Sequence, residues 1–296
     1  MSANASTVSG APAGSLPRGF AVRLFRMKPW GAACGVVFVL FLLCGLFAGV
    51  LAPYGLNEIH PIDRLKPPSW AYPLGTDNLG RDLLSRCLFG AQTSMTVALA
   101  SAALATLVST AIGMVSGYVG GVVDLVLQRI VDAWMSFPVL IVLIVVVSVL
   151  GPGMPQMILT LGLLRGIGGS RVVRGAVVTV REHPYVHAAK TLGASTRRIL
   201  WRHILPNVLP PLIVLFTTRI GTAFLAESGL AFLGLGVPPP APTWGGMLSG
   251  SARTFMFQAP WLVVVPGVCL TLVVYAVNMF GDALRDLLDP RLRGTT

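Results

Sequence analysis

The sequence predicts an all-α membrane protein with six transmembrane helices and a short helical hairpin on its cytoplasmic side. Three observations carry this: 54% of the 296 residues are hydrophobic against 11% charged, several apolar runs are long enough to cross a bilayer, and Lys and Arg gather between alternate runs. No ordinary soluble domain of this length has that balance.

The elements follow in chain order. Ser, Ala, Gly and Pro dominate residues 1–17, which hold too few bulky apolar groups for a core, so 1–29 is expected to be a cytoplasmic tail, partly disordered. The basic stretch from Arg18 to Lys28 precedes the apolar run 31–51 in the order of a signal peptide. That run exceeds the ~7–15 residues of a signal core, and further spans follow it, which favours an uncleaved signal-anchor. Residues 30–94 hold this first helix and a long outer loop, in which Thr76 or Asp77 is an expected helix N-cap and 81–86 a solvated turn.

Residues 95–290 form the expected core of five further helices. A helix needs ~20 residues to cross the ~30 Å hydrocarbon layer, where unpaired backbone groups are costly. Runs 31–51, 95–115 and 261–280 meet that length with no charged side chain. Run 133–150 is shorter, and Pro138 is expected to kink it. Run 154–172 is interrupted by Arg165, expected near the inner interface, and run 208–232 contains Arg219 and Glu227. Residues 291–296 are a second cytoplasmic tail.

Charge sets the orientation. Cytoplasmic loops retain Lys and Arg, and with the N-terminus inside, the inner segments take most of the 22 basic residues. The outer side then holds Arg64, Lys66, Arg81, Arg86 and Arg253, the first four offset by Glu58, Asp63, Asp77 and Asp82. Both termini are therefore expected inside. The net charge of +11 is spread between apolar runs instead of forming one solvated face, which argues against nucleic acid as a partner. Cys34, Cys44, Cys87 and Cys269 show neither a CxxC nor a Cys/His metal spacing.

The segment 181–206 is too polar to span a membrane. Its order Tyr185-Val186-His187-Ala188-Ala189, then Gly193-Ala194, then Leu205-Pro206 reads as helix, glycine turn, second helix and proline stop. Ala188 and Ala189 let another surface approach closely, Gly193 permits a reversal with φ > 0, and Pro206 is expected to end the second helix. This pattern resembles the permeases of binding-protein-dependent ABC importers, whose cytoplasmic motif is Glu-Ala-Ala, three residues, Gly, nine residues, Ile-x-Leu-Pro. His187 stands at the Glu position and His203 at the Ile position. Leu74-Gly75-Thr76-Asp77 with Gly80-Arg81-Asp82, Phe232-Leu233-Gly234-Leu235-Gly236 before Trp244-Gly245, and Asn278 through Leu288-Asp289-Pro290 narrow the resemblance to the C-type permease of dipeptide, oligopeptide and nickel systems.

The resemblance implies a subunit of a bacterial inner-membrane importer that forms half of a pathway for di- or oligopeptides. It implies a second homologous permease, two ABC ATPase subunits that bind ATP and Mg, and an extracytoplasmic substrate-binding protein. Tyr185, Val186, His187, Ala188, Ala189, Gly193, Ala194, Leu205 and Pro206 would form the ATPase-coupling interface. A nickel chelate or a glutathione-like compound is the alternative substrate within the same class. An ATPase site of its own is not expected: the phosphate loop GxxxxGK[ST] is absent, since Ala189 precedes Lys190-Thr191 where glycine is required. No cofactor or metal site is expected either, because His183 and His187 share a helical spacing without an acidic ligand set beyond Glu182. Glu227 and Arg219 are candidate pathway-lining residues, as charges within a span face a cavity or a partner. Eight residues apart on a helix, they are ~12 Å from each other and do not pair. An ion-coupled carrier is the distant alternative, disfavoured by the lack of an internal repeat.

Overall fold

The computed structural model describes residues 20–288, so 1–19 of the expected N-terminal tail, the final Asp289-Pro290 and the tail 291–296 lie outside the described residues. The helices run α1 (Phe20–Met27), α2 (Pro29–Leu46), α3 (Ala48–Leu51), α4 (Leu83–Val119), α5 (Gly121–Met135), α6 (Val139–Leu150), α7 (Met154–Arg181), α8 (Pro184–Thr191), α9 (Thr196–Ile199), α10 (Leu205–Phe232), α11 (Trp244–Met247), α12 (Ser251–Phe255) and α13 (Trp261–Leu288). Four helices are long and apolar enough to cross a membrane unaided: α2, α4, the continuous Thr196–Phe232 helix, and α13. The pair α5 and α6 makes a fifth candidate, bent by 84°. Helix α7 has 28 residues but carries Arg165, Arg171, Arg174 and Arg181. Of the six expected spans, four are apolar helices and a fifth is the broken pair, while α7, at the place of the remaining one, carries four arginines and is not apolar enough to count by that measure.

Four expectations change. The kink at Pro138 is a full break: Pro138 is extended (φ −60°, ψ 121°) and forms the N-cap of α6, because its ring cannot donate the helical hydrogen bond. Pro206 does not stop a helix. Helix α9 continues into α10 through a π-helical turn, Leu200–Ile204, in which Leu205 N–H reaches the Leu200 carbonyl. Proline lacks a donor and crowds the carbonyl four residues back, so the turn widens ahead of it, and Pro206 occupies the first turn of α10, where the donor is not needed. The cap of α4 is Asp82 in place of Thr76 or Asp77; its carboxylate accepts from Ser85 N at 2.7 Å, and the helix begins well before residue 95.

The segment 81–86 is not a solvated turn either. Asp77 accepts from Arg81 Nε at 2.6 Å, lies 3.6 Å from Arg86 Nε, and is buried with Thr76 and Asp82. Trp261 Nε1 donates to the Thr76 carbonyl, which fastens this loop to the start of α13. Nearby, Tyr54 and Tyr72 stack at 5.2 Å, and Tyr72 Oη donates to Asp63 at 2.7 Å. The Lys66 and Tyr72 hydrogen bonds hold the Asp63 carboxyl below its ordinary range, while the same contact pushes Tyr72 up to about 12.

Close packing of α4 on α7 forms the centre of the bundle. In lipid, apolar surface gives no net drive to associate, so helices pack where small residues let backbones approach. Gly113 and Gly117 of α4 provide one such stripe. A Cβ on Gly113 would lie 2.6 Å from Val173 Cβ and 2.8 Å from the Ser170 carbonyl. Gly162 and Gly166 of α7 reciprocate against Leu104 and Val108. At one end of the bundle, Trp244 is fully buried, donates its ring N–H to the Cys87 carbonyl and stacks on Phe224. This ties the 232–247 loop to α4 and α10.

Candidate functional site

The hairpin of α8 and α9 projects from the opposite end of the bundle, and its shape follows from local chemistry. Pro184 opens α8 in the first turn, with extended His183 as the N-cap. Gly193 closes it at φ +77°. Ala194 N–H bonds the Ala189 carbonyl and Gly193 N–H bonds the Lys190 carbonyl, both at 3.0 Å. These two bonds satisfy helix-end carbonyls through a left-handed residue, the arrangement glycine favours. Ser195 then caps α9 by accepting from Arg198 N.

Anchoring and display fall on different residues. Val186, Ile199 and Ile204 are buried with Val173, Val177, Val180, Val208 and Leu212, so Val186 faces the bundle. Leu205 and Pro206 are partly covered at the root of α10, and Ala189 and Ala194 are partly covered in the hairpin. Tyr185, His187, Ala188 and Gly193 are exposed. Leu192, which the sequence did not single out, is 87% exposed at the tip.

Arginines fix the root of this hairpin. Arg181 donates to the Gly117 and Tyr118 carbonyls at the end of α4, where cations complement the helix dipole. Arg174 pairs with Asp124 of α5 through two hydrogen bonds, and Arg171 contacts Asp132. Glu182 binds Arg181, which holds its carboxyl below its ordinary range.

Within the bundle, Glu227 is 0% exposed. One of its oxygens has no partner among the described residues, and Ser228 Oγ lies 3.4 Å from the other. Arg219 is 6% exposed and donates to Thr106 Oγ1 at 3.2 Å, Ser109 Oγ at 2.6 Å and the Arg165 carbonyl at 3.3 Å. Arg165 lies beside Arg219 about halfway along α7. The structure thus brings together α8, the glycine turn and the root of α10, and separately gathers Arg165 and Arg219; it leaves Glu227 apart from both.

Comparison with known proteins places this architecture. The family described as binding-protein-dependent transport system inner membrane component matches residues 109–294. The N-terminal TM domain of oligopeptide transport permease C matches 19–68. The dipeptide transport system permease DppC of Alkalihalophilus pseudofirmus is 39% identical over 258 residues, covering 87% of this chain and 84% of that protein. The DppC of Haemophilus influenzae is 39% identical over 270 residues, 89% and 91% of the two chains. The glutathione transport system permease GsiD of Pectobacterium atrosepticum is 36% identical over 272 residues, 92% and 90%. The fold matches a chain of the inward-facing MetNI methionine ABC transporter with a TM-score of 0.56 at 17% identity, over 69% of this chain and 96% of that one.

Proposed function

The chain belongs to the family of binding-protein-dependent transport system inner membrane components, and from that premise we propose that it forms half of the translocation pathway of an ATP-driven importer of di- or oligopeptides. Relatives named for dipeptide and glutathione transport support this substrate class. The observation that carries the coupling role is the glycine-closed hairpin, anchored by Val186 and Ile199 while Tyr185, Ala188 and Leu192 are displayed.

In this reading the chain sits in a bacterial inner membrane with both ends cytoplasmic. A second, homologous permease completes the pathway, two ATPase subunits hold ATP and Mg and receive the hairpin, and an extracytoplasmic binding protein delivers the solute. Closure of the ATPases displaces the hairpin as a rigid body. The lacing by Arg171, Arg174 and Arg181 carries that shift into α4, α5 and α7, opening the pathway to the binding protein.

The test is ATP-dependent uptake of a labelled dipeptide by the reconstituted assembly. Uptake should require this chain and the ATPases together, and this chain alone should turn over no ATP. Peptide uptake that proceeds without the ATPases would contradict the reading. Orientation is checked separately: a cysteine at position 68 should react with an impermeant thiol reagent in intact cells, and one at 196 should not.

A further inference from the structure

One face at the root of the hairpin collects cations and no acid. Ser195 caps a helix that runs on unbroken to Phe232, and its first two turns are two-sided. Ile199 and Ile204 are buried with Val186 and Val208, whereas Arg197, Arg198 and Arg202 are exposed and Trp201 is 66% exposed. Side chains four residues apart share a helix face, so Arg197 stands beside Trp201 and Arg198 beside Arg202, on the side away from that core.

Lys and Arg next to a span are expected of any cytoplasmic loop. These differ in that nothing answers them. Lys28, Arg129, Arg171, Arg174 and Arg181 each contact a carboxylate, while among the described residues Arg197, Arg198 and Arg202 contact none. The sequence holds no Asp or Glu between Glu182 and Glu227, so the hairpin and the inner half of α10 supply no acid of their own.

Depth indicates what could answer them. Trp201 lies ~46 Å from Phe232 along the continuous helix, at ~1.5 Å per residue. A tilt of about 20° brings this to ~44 Å, within the roughly 40–45 Å of a bilayer with both headgroup layers. With Phe232 at the outer face, Trp201 and the arginines stand among the inner headgroups. Tryptophan favours that level, arginine stems lie along apolar surface while their guanidinium groups reach outward, and the anionic lipids of the inner leaflet attract cations there.

From this the geometry points to a binding surface for anionic phospholipid headgroups, with Arg197, Arg198 and Arg202 on the phosphates and Trp201 at the apolar boundary, which fixes the depth of the hairpin root. The inference takes its orientation from the importer reading and adds a partner that reading does not name. An acidic surface on an ATPase subunit would meet the same cations, and the experiment separates the two.

The experiment places a photo-crosslinking amino acid at position 201 of the complete importer, in nanodiscs of equal parts phosphatidylglycerol and phosphatidylcholine with identical acyl chains, and identifies the adducts by mass. A second probe at Val264, 56% exposed on α13, reports the bulk lipid. Position 201 should capture phosphatidylglycerol over phosphatidylcholine at least about fivefold more selectively than position 264. Each of Arg197→Gln, Arg198→Gln and Arg202→Gln should lower that preference by up to about fivefold, the scale of one cation near an anionic leaflet, and Arg202→Lys should keep it. Equal capture of the two lipids at position 201 in wild type would overturn the proposal, as would a preference that survives replacement of all three arginines. Capture of an ATP-binding subunit in place of lipid would assign the face to that partner and likewise overturn it. If the triple variant does not assemble, the wild-type and single-variant ratios decide. The ratio is read without transport, so its failure leaves the importer reading standing, whereas absent ATP-dependent uptake beside an intact preference would defeat the importer reading alone.

Discussion

Replacing Gly193 isolates the coupling turn from the membrane bundle. Its φ is +77° and an added Cβ would meet nothing within 4 Å, so inside this chain the cost is backbone strain and not a clash. A left-handed conformation costs an L-residue roughly 1–2 kcal/mol, least for Asn, and more for a β-branched side chain. The turn is held by two hydrogen bonds worth about 0.5–1.5 kcal/mol each. Strain and bonds are therefore comparable for alanine, and strain prevails for valine. Because ~1.4 kcal/mol is tenfold in population, Gly193→Val should open the turn in most molecules, Gly193→Ala in a fraction, and Gly193→Asn in few. Val186 and Ile199 anchor both flanks, so insertion and yield should be unaffected. The assay is substrate-stimulated ATPase activity and uptake of the reconstituted complex, scored in the order Asn, Ala, Val. Wild-type coupling in the valine variant would refute the reasoning. An asparagine variant as impaired as the valine one would show that bulk at the docking face, and not φ, is what matters.

Gly113→Leu should force α4 from α7, since its Cβ already meets Val173 and Ser170; a loss of about 1–3 kcal/mol should appear as a lower melting temperature in detergent, and an unchanged one would discount the close approach. Glu227→Gln should alter uptake or basal ATPase activity with the complex intact, whereas unchanged transport would assign Glu227 to packing alone. For the Tyr72 and Asp63 segment the sign follows from the two shifts. Asp63, held below its ordinary 3.8, contributes fully above that value and loses its contribution as pH falls through its depressed pKa. Tyr72, raised from 10.0 to about 12, contributes fully below 10 and loses its contribution as pH rises toward 12. Hydrogen exchange of residues 61–77 should accordingly be flat between those limits once corrected for intrinsic rate, and protection that changes near pH 7 would contradict this.

Much of this was legible because lipid imposes long apolar runs and because glycine and proline punctuate them. The positive φ of Gly193 followed from a glycine between two polar helical stretches. Pro206 misled because proline both ends helices and begins them, and nothing local indicates that a π turn would let the chain pass. Asp82 was missed as a cap because Thr76, Asp77 and Asp82 all carry capping side chains, and tertiary burial of Asp77 against Arg81 and Arg86 decides among them. Helix α7 is longer than expected since Arg171 and Arg174 read as solvated, while Asp132 and Asp124 on α5 neutralise them. The meeting of Arg165 and Arg219 depends on how two helices are rotated against α4, and no pattern within either helix specifies that.

The central claim, that the α8 and α9 hairpin couples this chain to an ATPase, is tested most directly by a photo-crosslinking amino acid at Leu192, exposed at the hairpin tip, with a second probe at Trp70, fully exposed in the loop before α4. In the assembled importer, irradiation should join position 192 to an ATP-binding subunit and should not join position 70 to one. Capture of that subunit from position 70, or none from position 192 in an actively transporting complex, would contradict the account.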